Sequence, residues 1–153
     1  MKIERLLNGD AIYCDLEVHS KKTILQELAR LATIHFNLDE SSIYHKLLAR
    51  EQLGATGVGA GVAIPHCRID EKMDKAAMFF RLNKKIDFDA LDDQPVDLIF
   101  LLITPQSDTV GHLQALATIS RVLRESQLCH AIRQANSREE IYALLVGEME
   151  CAA

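Results

Sequence analysis

The chain has 153 residues, 48% hydrophobic and 25% charged, enough for one domain with a real core and an ordinary globular balance. A net charge of −5 without a run of basic residues speaks against nucleic acid, whose phosphate backbone needs concentrated Lys and Arg. The longest strongly apolar stretch, Val96 to Ile103, is broken by Asp97 and is too short to span a bilayer, so no direct membrane insertion is expected.

In chain order, residues 1–19 read as a lead-in with a brief strand at Ala11 to Cys14. The N-terminus lacks the apolar region of a signal peptide, which points to a cytoplasmic protein with reduced thiols. Ser20 is the expected N-cap of a helix running to about Phe36, with Ile24, Leu25, Leu28, Leu31 and Ala32 at helical spacing. Asp39 opens a second helix whose buried face is Ile43, Tyr44, Leu47 and Leu48, and Gly54 suits its C-terminal cap. A glycine-rich stretch follows. Lys75 to Leu82 then reads as a strand, Asn83-Lys84-Lys85 as a turn, and Phe88 to Pro95 as a loop. The nearly continuous apolar run Val96 to Ile103 fits a central strand covered on both faces. Asp108 or Thr109 caps a helix carrying Leu113, Leu116, Ala117, Ile119, Val122 and Leu123, and a short helix follows near Leu128 to Ala135. Ser137 and Glu140 form a capping box for a last helix ending near Val146. Strands lying between helices imply an α/β sandwich over residues 1–153, with an ordered core at about 5–148. Its mixed β-sheet has about four or five strands flanked by helices on both faces.

The stretch Arg50 to Arg68, R-E-Q-L-G-A-T-G-V-G-A-G-V-A-I-P-H-C-R, holds four of the seven glycines. Pro65 fixes its own φ and drives Ile64 into an extended conformation, so His66 is presented on stiff backbone. A bland alternative is a glycine-rich connection that happens to contain a histidine. Gly57-Val58-Gly59-Ala60-Gly61 is no dinucleotide fingerprint, because that motif must follow a strand and open a helix. His19, His35, His45 and His130 fall on or beside amphipathic helices as structural groups. His112 lies past the end of the apolar strand, where ligand crevices form in open α/β sheets. Its helix N-terminus favours the neutral imidazole. The alternative for it is an ordinary helix-start histidine.

Arg50 offers a planar fork suited to phosphate oxygens, Thr56 a hydroxyl, and the loop at Gly57 and Gly59 backbone N–H donors. With a nucleophilic His66 these are the parts of a phosphoryl-accepting site. A metal hydrolase built on His66, Cys67 and His112 is the competing idea, but adjacent residues on an extended chain point to opposite sides, and no metal is expected. Cys14, Cys67, Cys129 and Cys151 form no C-x-x-C pair, and Cys151 stands one place off the prenylation spacing.

The stretch from Arg50 to Cys67 resembles the signature around the phosphorylated histidine of enzyme IIA components of the phosphoenolpyruvate-dependent phosphotransferase system, in the fructose–mannitol class. F-D-A-L-D-D-Q-P-V-D-L-I-F at 88–100 and G-H-L-Q-A-L at 111–116 match similar segments, so the resemblance spans nearly the whole chain. It is nearest to the free-standing nitrogen-regulatory branch. The resemblance implies that His66 is phosphorylated through Nε2, that His112 is the second active-site histidine, and that Arg50 and Thr56 line the phosphate pocket. It implies a histidine-containing phosphocarrier protein as donor, a regulatory or ion-transport-related protein as target, and no metal or nucleotide cofactor. A sugar-specific enzyme IIA passing its phosphoryl group to a permease component is the alternative. Cys67 stands where glycine is common, bringing an oxidisable thiol beside the nucleophile.

Overall fold

The structure is a computed structural model that describes residues 1–147; Cys151 and the prenylation spacing lie outside them. After a short 3₁₀ turn, Ile3–Arg5, the elements are β1 (Leu7–Leu16), α1 (Lys21–Phe36), α2 (Glu40–Leu53), β2 (Gly57–Gly59), β3 (Val62–Ala63), β4 (His66–Ile69), β5 (Ala76–Ile86), β6 (Val96–Pro105), α3 (Thr109–Leu123), α4 (Ser126–Gln134) and α5 (Arg138–Val146). The sheet is mixed, in the order β1-β5-β6-β3-β2, with β4 also pairing β6. It has six strands where about four or five were expected, because the glycine stretch itself supplies β2, β3 and β4.

The expected caps form. Ser20 accepts from Thr23 N in a reciprocal box, Asp39 accepts from Ser42 N, and Asp108 accepts from Gly111 N. Ser137 accepts from Glu140 N, but the Glu140 carboxylate reaches Asn136 N instead of closing the box on Ser137. Every residue of β6 is buried, as its continuous apolar run requires. Helices cover both faces. Phe80 of β5 stacks on Tyr13, whose hydroxyl lies 2.6 Å from His35 Nε2 of α1. The next residue, Arg81, points the other way and donates to the Ile132 and Ala135 carbonyls at the end of α4.

Three local expectations change. β1 runs from Leu7 to Leu16 instead of Ala11 to Cys14: a register shift against β5 and a positive φ at Asp15 blur its alternation. Asn83-Lys84-Lys85 is not a turn; β5 continues through it with these side chains exposed, until Ile86 pairs Val96. In α3 the buried face is Gly111, His112, Ala115, Thr118, Ile119 and Val122, while Leu113 and Ala117 are exposed. Leu123 is buried as well, so the apolar pattern holds from Ile119 onward, while in the first turn the polar His112 takes the inward position.

β3 and β4 are one strand with a break. Val62 pairs Leu98 and His66 pairs Leu102, the same offset on the same edge of β6. The break falls at Ile64-Pro65, where proline has no N–H for the ladder. Pro65 O still accepts from Leu102 N at 3.1 Å. Ile64, facing the other way, donates its N–H to Thr56 O at 2.9 Å and leaves its carbonyl to a side chain.

Candidate phosphoryl-accepting site

The break in the strand places the site. His66 is the first residue of β4, half-buried, and its Nδ1 lies 2.7 Å from the Ile64 carbonyl. A carbonyl can only accept, so Nδ1 carries the hydrogen. Arg50, in the last turn of α2, donates its Nε–H to His66 Nε2 at 3.2 Å, so that nitrogen holds a lone pair. Two independent partners therefore fix one tautomer: a neutral imidazole whose free nucleophilic atom is Nε2. Burial pushes its pKa below the usual imidazole value, the Arg50 charge lowers it further, and the Ile64 bond and Glu51 oppose this. Arg50 is anchored by its Nη1, which donates to Gly54 O at 2.8 Å.

His112 comes from the first turn of α3 and is 7% exposed. Its ring centroid lies 5.6 Å from that of His66, tilted by 52°. Its Nδ1 is 2.6 Å from Thr104 Oγ1 of β6. Burial, then the nearby His66 and Arg68, push its pKa down to about 4. His112 is thus kept neutral first by burial.

That shift has a stability consequence. The unfolded imidazole titrates near 6.5, so the unfolded chain takes up this proton first as pH falls. The stabilisation is complete above about pH 6.5 and is lost progressively toward about pH 4, by up to about 3 kcal/mol. Urea unfolding at about pH 7 and about pH 4.5 should therefore show a larger loss for the wild-type protein than for His112→Gln, which cannot titrate there. An identical pH dependence in the two proteins contradicts the assignment.

The remaining expected residues enter differently. Thr56 is buried, and both its hydroxyl and its N–H donate to the Glu51 carboxylate. Lys21 Nζ pairs with the same carboxylate at 2.9 Å. Thr56 is thus committed to Glu51, and the trio ties α1, α2 and the glycine stretch together. Gly57 is packed so closely on Ala90 that a Cβ there would lie 2.8 Å from the Ala90 Cβ. Gly59 has a φ of 105° and sits beside Asp92, at the hairpin between β2 and β3. The hairpin tip is held on two sides: Ala60 N donates to Asp92 Oδ2 at 3.0 Å, and Ala60 O accepts from Arg133, which also grips Asp97. The structure therefore brings Arg50, His66 and His112 together directly, while Thr56, Gly57 and Gly59 shape the backbone that carries His66.

Glu51, Thr104 and Arg68 were not singled out from the sequence. Glu51 had one sequence signal, its place in the last helical turn beside Arg50. Arg68 lies two residues beyond His66 on the same strand face and donates to Gln106 O and Thr109 Oγ1. Cys67 points away from that face, buried; desolvation pushes its thiol up to about 12, so it stays protonated. Among the described residues, no group of three or more His, Cys, Asp or Glu is placed to hold a metal ion.

The model of the family described as "Phosphoenolpyruvate-dependent sugar phosphotransferase system, EIIA 2" matches residues 5–147. The chain belongs to this EIIA family. A protein of Bradyrhizobium diazoefficiens named nitrogen regulatory protein is 42% identical over 95% of each chain. The crystal structure of the nitrogen regulatory protein IIA-Ntr from Neisseria meningitidis superposes with a TM-score of 0.88 at 35% identity, covering 94% of this chain and 98% of that one. The mannitol IIA of Escherichia coli, solved in complex with phosphorylated mannitol IIB, shares the fold at 17% identity with a TM-score of 0.78, covering 92% and 97%. The mixed α/β sandwich is thus the fold of the EIIA family, and both of the relatives just named at 42% and 35% identity carry the nitrogen-regulatory name. In this EIIA chain, no described helix is long and apolar enough to cross a membrane.

Proposed function

We propose that this EIIA protein is a cytoplasmic histidine phosphocarrier of the nitrogen-regulatory type, phosphorylated on Nε2 of His66 by a histidine-phosphorylated carrier protein. The observation that carries the reading is the imidazole whose Nδ1–H is held by a carbonyl while its Nε2 lone pair faces an arginine. The lone pair attacks phosphorus as the donor's P–N bond breaks, and that bond's electron pair returns to the donor imidazole. Arg50 passes from Nε2 to the oxygens of the phosphoryl group, where its charge is needed. His112 stands ready as a neutral donor to the same group. Thr56, Gly57 and Gly59 serve the phosphate pocket by fixing the backbone around it. No metal or nucleotide is needed, because a phosphoramidate is already activated.

The surroundings suit a protein partner. Leu53, three residues past Arg50, is 85% exposed, and Val110 and Leu113, on either side of His112 in sequence, are 66% and 61% exposed. Exposed apolar side chains so near the site residues in sequence favour docking of a macromolecule. Phosphorylation adds about −1.5 to −2 charge there, so the two states should bind a target very differently. The unphosphorylated form should be the better binder of a regulatory or ion-transport-related protein.

The family's sugar-phosphotransferase description supports the second reading, delivery to a sugar permease component. Sugar uptake in a deletion strain, compared with strains carrying His66→Ala and His66→Glu, separates the two. Uptake of phosphotransferase sugars should survive in all three. Loss of one sugar in both the deletion and the His66→Ala strain would establish the transport reading.

A further inference from the structure

His112 is neutral and has only one ring hydrogen, so its usefulness depends on which nitrogen carries it. Nδ1 faces Thr104 at 2.6 Å, which leaves Nε2 as the nitrogen available to the site. The Thr104 side chain is fully buried in β6, and its hydroxyl has His112 Nδ1 as its one hydrogen-bond partner among the described residues. If Nδ1 carried the hydrogen, the hydroxyl's own hydrogen would be buried without an acceptor. If Nδ1 is bare, a single hydrogen satisfies both groups.

We propose that Thr104 is a positioning residue of the phosphoryl-accepting site: its hydroxyl donates to His112 Nδ1 and holds that ring in the Nε2–H tautomer, so His112 offers the phosphoryl group on His66 a donor. This rests on the reading of His66 given above. The two histidines then hold opposite tautomers. Ile64 O keeps the hydrogen of His66 on Nδ1 and frees Nε2 to attack, while Thr104 keeps that of His112 on Nε2. Arg68, paired with Thr104 across β4 and β6, places a positive charge on the same sheet face and favours the uncharged His112 in which the tautomer matters.

The test is long-range proton–nitrogen NMR of the unphosphorylated ¹⁵N-labelled protein at neutral pH. In the wild-type protein His112 should show a pyrrole-type Nε2 and a pyridine-type Nδ1. Thr104→Val keeps the side chain's shape, and its His112 should show mixed tautomers or Nδ1–H; Thr104→Ser should restore Nε2–H. Phosphoryl transfer from the donor should slow by about fivefold to tenfold in Thr104→Val, in kcat more than KM, and return to within about twofold in Thr104→Ser. A protonated Nδ1 in the wild-type protein overturns the proposal, as does a Thr104→Val protein with unchanged tautomer and transfer. Donor labelling of the wild-type protein runs alongside. No labelling overturns the reading of His66, whereas labelling combined with an Nδ1–H His112 overturns only the role of Thr104.

Discussion

Substituting His66 by alanine should abolish labelling by a phosphorylated histidine carrier, while the wild-type protein takes up one phosphoryl group in an acid-labile, base-stable adduct. The effect should be complete, because no other group nearby is a ready nucleophile. Cys67 is buried and protonated, and burial pushes its thiol to about 12. His112 has its Nδ1 against Thr104, inside the structure. Half of the His66 ring is held only by backbone and Arg50, so the alanine variant should keep its circular dichroism spectrum. Equal labelling of the folded variant and the wild-type protein would place the acceptor elsewhere. The pH dependence follows from the same geometry. With its pKa held below the ordinary imidazole value, His66 stays a free base through neutrality, so transfer should be flat there and fall only on the acid side.

Arg50→Ala should slow transfer by about 10- to 150-fold, corresponding to about 1.5–3 kcal/mol for a hydrogen bond to a charged group. In the resting protein Arg50 spends one N–H on a neutral lone pair, a weak contact at 3.2 Å. Charge appears on its partner only as the phosphoryl group arrives, so the contact strengthens toward the transition state and should act on kcat. Arg50→Lys should recover part of the rate: it restores charge but not the fork, nor the second bond to Gly54 O. Removing the arginine also removes a charge that lowers the His66 pKa. Burial, the larger cause, remains, so the pH profile should shift less than the rate. An unchanged rate in a folded Arg50→Ala protein would exclude Arg50 from the site.

Much of this was legible in the sequence where chemistry is local. The caps at Ser20, Asp39 and Asp108, the apolar run of β6, and the stiff Pro65-His66 presentation each depend on neighbours within a few residues, and each appears as read, while at Ser137 the cap forms without its box. The failures have a common cause in distant partners. β2, β3 and β4 look like loop because each is two to four residues long in a glycine- and proline-broken stretch; β3 and β4 become strands by lying along β6, and β2 by pairing β3. Glu51 is recognisable only as a residue of the last helical turn; its burial depends on Lys21, thirty residues earlier, and on Thr56. Leu113 is exposed although Ile119, Val122 and Leu123 of the same apolar pattern are buried, and the inward position in that turn is taken by His112, whose partner Thr104 lies on β6.

The bond between His66 Nδ1 and the Ile64 carbonyl also fixes the bookkeeping of protons. On the reading proposed above, the hydrogen that directs attack to Nε2 would stay on Nδ1 as the phosphoryl group arrives, so the ring would become a cation held by the same carbonyl. Exchange with a donor imidazole that keeps its own hydrogen thus neither takes up nor releases a proton, and it trades one P–N bond for another of the same kind. Such a reaction would run near equilibrium in both directions as long as both rings keep their hydrogen. The phosphorylated fraction of this protein would then track that of its donor as a reversible gauge, emptying backwards when the donor pool is discharged.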